Sequence, residues 1–484
     1  MTSLPDTAQE SLNALTEAVH AGLPSAIAEL STLVRIPSVS WAAFDPAYVQ
    51  HSAEVVAELV TGLGVFESVT ISCAKIGETD LLGQPAILAT RAARNGRPTI
   101  LLYAHHDVQP PGKDEDWESP PFEPTVRGDR LYGRGAADDK AGVMAHIAAI
   151  RALVETAGAD FDLGLVLFFE GEEEFGSRSF KNFLLQHREE LIADAIVVAD
   201  SDNWDIDTPA LTVALRGNVT FRLTVRTLEH ASHSGMFGGA APDAMLAMIR
   251  LLATLHDDVG SVVVAGLTRT DGETPEYPES RLRHEAALLE GVTPIGTGSI
   301  LSRLWYQPSI TVTGIDAPSV ANASNTLSPS VAVRVSARIA PGQTAADAFA
   351  ALERHFLGNA PFGAVVEIDD IDRGDPFLVD TSGWAVAEAK QAMADAWGVA
   401  PIETGIGGSI PFISDLVELF PQAQILVTGV EDPDSRAHSP NESLHLGVFK
   451  RAILTEAILL SKLNLRGEKR LHWRETSGEE NDND

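Results

Sequence analysis

Four short apolar runs, at 99–103, 163–169, 195–199 and 424–428, each lead directly or through a short loop into a cluster of polar, mostly histidine and acidic, residues. The clusters read AHHDVQP, EGEEEFGS, DSDNW and SRAHSPNE. Runs of this length suit strands buried on both faces. Helical patterns lie between several of them, as in AGVMAHIAAIRALVETAG. The alternation predicts an α/β fold with a mixed, mostly parallel sheet covered by helices on both faces. Ligands of such open sheets gather outside the carboxyl ends of the strands, so four distant segments bring imidazoles and carboxylates to one edge.

Between about 211 and 380 the pattern changes. ALTVALRGNVTFRLTVRTLE and VAVRVSARIAP alternate apolar and polar residues, as half-exposed antiparallel strands do. PDAMLAMIRLLATLH and AADAFAALERHF have amphipathic helical spacing. The expected organisation is a discontinuous domain of 1–210 and 381–484 with an α+β domain, 211–380, inserted into it, because the run at 424–428 returns to the sheet edge. At 8–35, apolar residues spaced by three and four are interrupted by Gly22 and Pro24, which predicts two helices meeting at a break. No fixed-period repeat is present.

Composition removes several function classes. The 35 Lys and Arg against 68 Asp and Glu give a formal net charge of −33, which opposes nucleic acid and anionic membranes. No apolar run approaches the roughly 18 to 20 residues of a membrane span. The opening MTSLPDTAQE has neither the basic nor the apolar part of a secretion signal, and a lone Cys73 cannot form an internal disulfide. These features lead to the expectation of a cytoplasmic protein. The tail ETSGEENDND has almost no apolar residues and is expected to be disordered.

The chemistry lies in the clusters. In AHHDVQP an extended backbone puts His105 and Asp107 on one side and His106 on the other. A carboxylate there can hold the imidazole that faces a metal, although an exposed turn before Gln-Pro-Pro-Gly has the same sequence. Asp138 and Asp139, in GRGAADDKAG, precede a helix, where aspartate is a good N-cap. A carboxylate can also bridge two cations, and only one of the pair need cap. A glutamate of EGEEEFGS, Asp200 and His438 offer further oxygen and nitrogen donors. Such a set without thiolate suits Zn²⁺, Mn²⁺ or Co²⁺.

AHHDVQP, GRGAADDKAG, EGEEEFGS, the Asp after IVVA, HSGMFGG and AHSPNE, in this order along the chain, resemble the M20 metallopeptidase family, most closely its carnosine dipeptidase-like and bacterial dipeptidase branch. The resemblance implies two divalent cations per subunit, Zn²⁺ first among them, bridged by Asp138. His105 and Asp200 would complete one site, Glu174 and His438 the other. It further implies that Asp107 orients His105, that the Asp138–Asp139 peptide is cis, and that Glu173 is the general base. Glu172 falls at the variable position of the motif and is expected to be solvated, while Glu170 could bond nearby backbone groups.

In the inserted domain the resemblance makes His233 an oxyanion-stabilising residue that reaches across a homodimer interface. It makes Arg338 the reader of the substrate carboxylate, with Asn325, Thr326, Gly408 and Ser409 as further substrate contacts. Gly405 and Ile406 stand where carnosine dipeptidase-like relatives tend to carry Arg and Glu, so carnosine specificity does not transfer. The implied activity is hydrolysis of dipeptides or short peptides. An N-acyl-amino-acid amidohydrolase of the same fold is the alternative. A catalytically silent binding or scaffold protein is a third reading, opposed by the presence of every proposed ligand and of the base.

Overall fold

The computed structural model describes residues 6–272, 274–407 and 411–466. The chain forms two compact units: 1–211, 380–402 and 416–484 make the first, and 212–379 with 403–415 the second. The segment 403–415 thus groups with the second unit, where the sequence reading had placed it in the discontinuous domain.

In the first unit six strands lie in the spatial order Ser68–Ser72, Ala86–Arg91, Gly164–Glu170, Thr99–His105, Ala195–Val198 and Gln424–Thr428. The first two pairings are antiparallel, and the remaining three are parallel. All seven residues of Gly164–Glu170 are buried, as expected for a strand covered on both faces. Side chains of successive residues point to opposite faces. Phe168 meets Phe180 and Phe183 of the helix Phe180–Gln186, at ring separations of 5.5 and 4.7 Å, while Phe169 stacks on His146 of the helix Lys140–Ala157. Helices therefore cover both faces. Phe168→Ala is expected to destabilise this unit by about 3–5 kcal/mol through lost burial and the cavity left behind, read as a lower denaturation midpoint.

One helix, Asp6–Val34, runs unbroken through Pro24, not two helices meeting at a break. An interior proline costs about 3 kcal/mol. Here buried residues on both sides of it, among them Leu15, Val19, Ala26, Leu30 and Leu33, anchor the helix and outweigh that cost. Around its C-terminal end, the buried Lys140 ammonium donates to the carbonyls of Leu33, in the last turn, and of Ile36, just beyond it, at 2.8 and 2.7 Å. This satisfies acceptors that the end of a helix leaves open.

The second unit contains a four-stranded antiparallel sheet in the order Ser309–Asp316, Ser330–Ile339, Gly217–Arg226, Val365–Gly374. Phe221, Leu223, Val225, Val333 and Val335 form its core with Met248 and Leu251 of the helix Ala244–Ala253 and Leu352 and Phe356 of Ala345–Gly358. The alternating burial of Gly217–Arg226 and Ser330–Ile339 is the pattern of a sheet with one face packed. Among the described residues, no helix is long and apolar enough to cross a membrane.

Candidate metal centre

Asp138 ends the loop before the helix Lys140–Ala157, and its carboxylate divides between two imidazoles. Oδ1 lies 3.1 Å from Nε2 of His105, at the carboxyl end of the strand Thr99–His105, and Oδ2 lies 3.0 Å from Nε2 of His438. Oε2 of Glu174 is 3.2 Å from the same His438 nitrogen. His438 has a backbone φ of 61°, in the left-handed region that a non-glycine residue rarely adopts, within the loop that follows the strand Gln424–Thr428. Asp200, just beyond Ala195–Val198, has a ligand atom within 4.8 Å of those of His105 and Asp139. Four strand ends thus meet at one cluster.

The two aspartates separate in role. Asp139 caps the following helix, with Oδ1 accepting from Gly142 N at 3.1 Å and Oδ2 from His105 N at 3.1 Å. The peptide between the aspartates is cis. Asp107 supports the cluster from behind. Its Oδ1 is 3.4 Å from His105 Nδ1, and the same nitrogen lies 3.1 Å from the Asp107 carbonyl oxygen. Holding the Nδ1 proton there makes Nε2, the nitrogen facing Asp138, the one that would offer its lone pair to a cation. Asp107 also accepts from Ser40 Oγ at 2.6 Å and from the amides of Glu173 and Glu174, both at 3.1 Å. His106 turns away, bonded to Ser52 and to the Pro85 carbonyl.

The spacing fits a cation. Ligand atoms about 2.0–2.1 Å from a tetrahedral Zn²⁺ stand about 3.3 Å from one another, and the edges joining Asp138 to His105 and His438, and His438 to Glu174, are 3.0–3.2 Å. Glu174 is oriented by Gln109, whose amide nitrogen donates to Oε1 at 3.1 Å and whose side chain donates to Oε2 at 2.6 Å. Glu173 differs from its neighbour. Its side chain is 20% exposed against 2% for Glu174, and one of its oxygens is 4.0 Å from His105 Nε2.

The profile of the peptidase family M20/M25/M40 matches residues 101–462, the stretch that carries this cluster. The chain belongs to that family. It is accordingly a peptidase, and the M20 expectation drawn from the motifs is met. Among its relatives, the cysteinylglycine-S-conjugate dipeptidase of Corynebacterium striatum is 35% identical over 379 residues, 77% of this chain and 83% of the relative. The Cys-Gly metallodipeptidase dug1 of Schizosaccharomyces pombe is 28% identical over 462 residues, covering 92% and 96%. In fold, this M20 peptidase matches the di-peptidase Dug1p of Saccharomyces cerevisiae with a TM-score of 0.76 and 23% identity, over 94% of this chain and 99% of the other. Human carnosine dipeptidase 1 gives 0.75 and 23% over the same shares.

Charge crowding in the M20 cluster is severe. Burial, reinforced by Asp200 and Glu174 against the pull of His105, raises the Glu173 carboxyl well above the usual range. Burial and then Asp138 push Glu174 up to about 7, and burial pushes Asp200 up to about 6. Burial opposes the ionised form of Asp138 too, but its bonds to His105 and His438 outweigh it and hold that carboxyl below the usual range. The same bonds, from Asp138 and Glu174, push His438 up to about 11. So many carboxylates ionise together only beside compensating positive charge, which divalent cations supply.

Two expectations change around this M20 centre. Glu172 is buried, not solvated: it accepts from Ser179 N at 2.8 Å, from Ser179 Oγ and from Arg178 Nη2 at 2.9 Å. The backbone at Gly83 comes so close that a Cβ there would stand 2.3 Å from Glu172 Oε1, so a residue remote in sequence closes the pocket. Glu170 bonds a side chain, accepting from the Tyr103 hydroxyl at 2.6 Å, and burial pushes its carboxyl up to about 8.

The second unit holds the other candidates. His233 pairs with Thr326 in a short antiparallel ladder, and Ser234 N donates to the Asn325 carbonyl at 2.9 Å. Nδ1 of His233 accepts from Gly235 N at 3.0 Å, which leaves Nε2 as the protonated, outward nitrogen of the neutral ring. Arg338 lies in the strand Ser330–Ile339, opposite Asn218 and Ser309. Gly408 and Ser409 lie outside the described residues. Ser40 and Gln109 were missed as supporting residues; Gln109 stands inside the quoted AHHDVQP, whereas Ser40 carries no sequence signal that links it to Asp107.

Proposed function

We propose that this peptidase hydrolyses dipeptides and short peptides, with two divalent cations held by His105, Asp138 and Asp200 on one side and by Asp138, Glu174 and His438 on the other. The observation that carries the reading is the Asp138 carboxylate, with one oxygen facing each imidazole at 3.1 and 3.0 Å. Bound there, Zn²⁺, or Mn²⁺ or Co²⁺ with the same donor preference, would polarise the scissile carbonyl and make a water nucleophilic near neutral pH. Glu173 accepts the proton of the attacking water and passes it to the leaving amine. Its greater exposure fits a base that exchanges protons with water and substrate, while buried Glu174, fixed by Gln109, fits a ligand.

In the second unit, Arg338 reads the free carboxylate of the substrate through charge-assisted bonds. His233, with Nε2 available as a donor, stabilises the oxyanion from the partner of a homodimer formed through this unit. The 212–379 region acts as lid and dimerisation domain, and the enzyme works in the cytoplasm, in keeping with its single cysteine.

Parallel panels of dipeptides and N-acyl amino acids test the reading, each assayed with metal-free protein reloaded with Zn²⁺, Mn²⁺ or Co²⁺. Dipeptides are expected to be turned over at least about tenfold faster in kcat/KM, and chelation is expected to abolish activity. Faster cleavage of N-acyl amino acids would reassign the protein as an amidohydrolase. Two bound cations with no turnover on either panel would support a binding role.

A further inference from the structure

Glu442 closes the AHSPNE segment, and none of the roles above uses it. Its side chain is fully buried. Oε1 accepts from the amides of Ala137 and Asp138 at 3.0 and 3.1 Å, and Oε2 accepts from the Gly135 amide at 3.1 Å and from Arg134 Nη1 at 2.6 Å. Its backbone carbonyl takes the Gly133 amide at 3.0 Å. Backbone N–H groups converging in this way form an anion-binding concavity. Here the anion is a side chain four residues beyond His438, and one of the amides belongs to Asp138. Arg134 adds a weaker contact from Nη2 to the Ser439 carbonyl at 3.4 Å.

Glu442 thus holds Asp138 directly, through its amide, and holds His438 only through the segment 438–442 that it ends, while the side chains of Asp138 and His438 meet at 3.0 Å. We propose that Glu442 is a positioning residue that sets the Asp138–His438 separation and thereby the affinity for the cation pair, an inference that rests on the metal reading above. A glutamine would present an amide NH₂ where one oxygen accepts two protons. It would also leave the buried Arg134 guanidinium without a counter-charge. These two effects are separable. Arg134→Met removes the ion pair but leaves the Glu442 side chain the amides of Gly135, Ala137 and Asp138 as partners.

The experiment titrates metal-free parent, Glu442→Gln, Arg134→Met and Arg134→Met/Glu442→Gln with Zn²⁺ against a competing chelator, and records the Tm of each metal-free protein. The parent is expected to take up two Zn²⁺ per chain. Both proteins carrying Glu442→Gln should bind Zn²⁺ about 10- to 100-fold more weakly, the range for residues that orient metal ligands. Arg134→Met should lose less than about threefold. The double variant, free of the unpaired guanidinium, should have the higher Tm of the two and decides the matter if Glu442→Gln does not fold. Glu442→Asp, charged but one methylene short, is expected to fold and to bind Zn²⁺ with intermediate affinity. Parent-like Zn²⁺ affinity in the folded Glu442 variants overturns the proposal. So does an equal loss in Arg134→Met, which would reduce Glu442 to one half of a stabilising ion pair. A parent that binds no Zn²⁺, Mn²⁺ or Co²⁺ overturns the metal reading itself.

Discussion

Replacing Glu173 by glutamine is expected to lower kcat on a good dipeptide by about 10²- to 10⁴-fold, the range for losing a general base, while both cations and substrate remain bound. Glutamine keeps the shape of the side chain, and the amide that Glu173 donates to Asp107 at 3.1 Å is backbone and survives the change. The adjacent Glu174→Gln supplies the contrast. That side chain is 2% exposed and lies 3.2 Å from His438 Nε2, so losing its charge should weaken cation binding on the His438 side. Metal content per chain and single-turnover rates separate the outcomes. Parent-like turnover in Glu173→Gln with full metal occupancy would remove Glu173 from the chemistry. Metal loss in that variant, with retention in Glu174→Gln, would exchange the two assignments.

Strand ends were readable because their physics is local. A buried parallel strand needs a continuous apolar run, and the residues that follow His105, Phe169, Val198 and Thr428 emerge at the sheet edge whatever the rest of the chain does. That one of the two aspartates caps the helix was legible for the same reason, since the acceptor role is set by the next turn of helix; the structure gives it to Asp139. Burial of Glu172 was not legible. It depends on Gly83 coming within side-chain distance from a segment that shares no pattern with EGEEEFGS. Pro24 misled in the opposite direction: local propensity marks a break, and the break is overridden by packing on both sides, which no window around the proline contains. Glu442 stood in a quoted motif, yet its meaning lies in four donors about 305 positions away.

Asp138→Ala is expected to abolish uptake of both cations and to reduce kcat/KM by at least about 10⁴-fold, since several kcal/mol of transition-state stabilisation depend on them and each 1.36 kcal/mol is tenfold. The loss at both sites follows from the shared carboxylate: removing it takes one neighbour from His105 and another from His438. Loss of a single cation would show Asp138 to be a terminal ligand. Asp139→Asn is the companion variant. Asparagine is as good an N-cap as aspartate and can still accept from Gly142 N, but its NH₂ would face the His105 amide that Oδ2 now accepts. A buried donor left unsatisfied costs about 1–3 kcal/mol, so this variant should have a lower Tm while retaining two cations. If Asp139→Asn instead lost a cation at unchanged Tm, the group formed by His105, Asp139 and Asp200 would use Asp139 as a ligand, and the cap would be its secondary role.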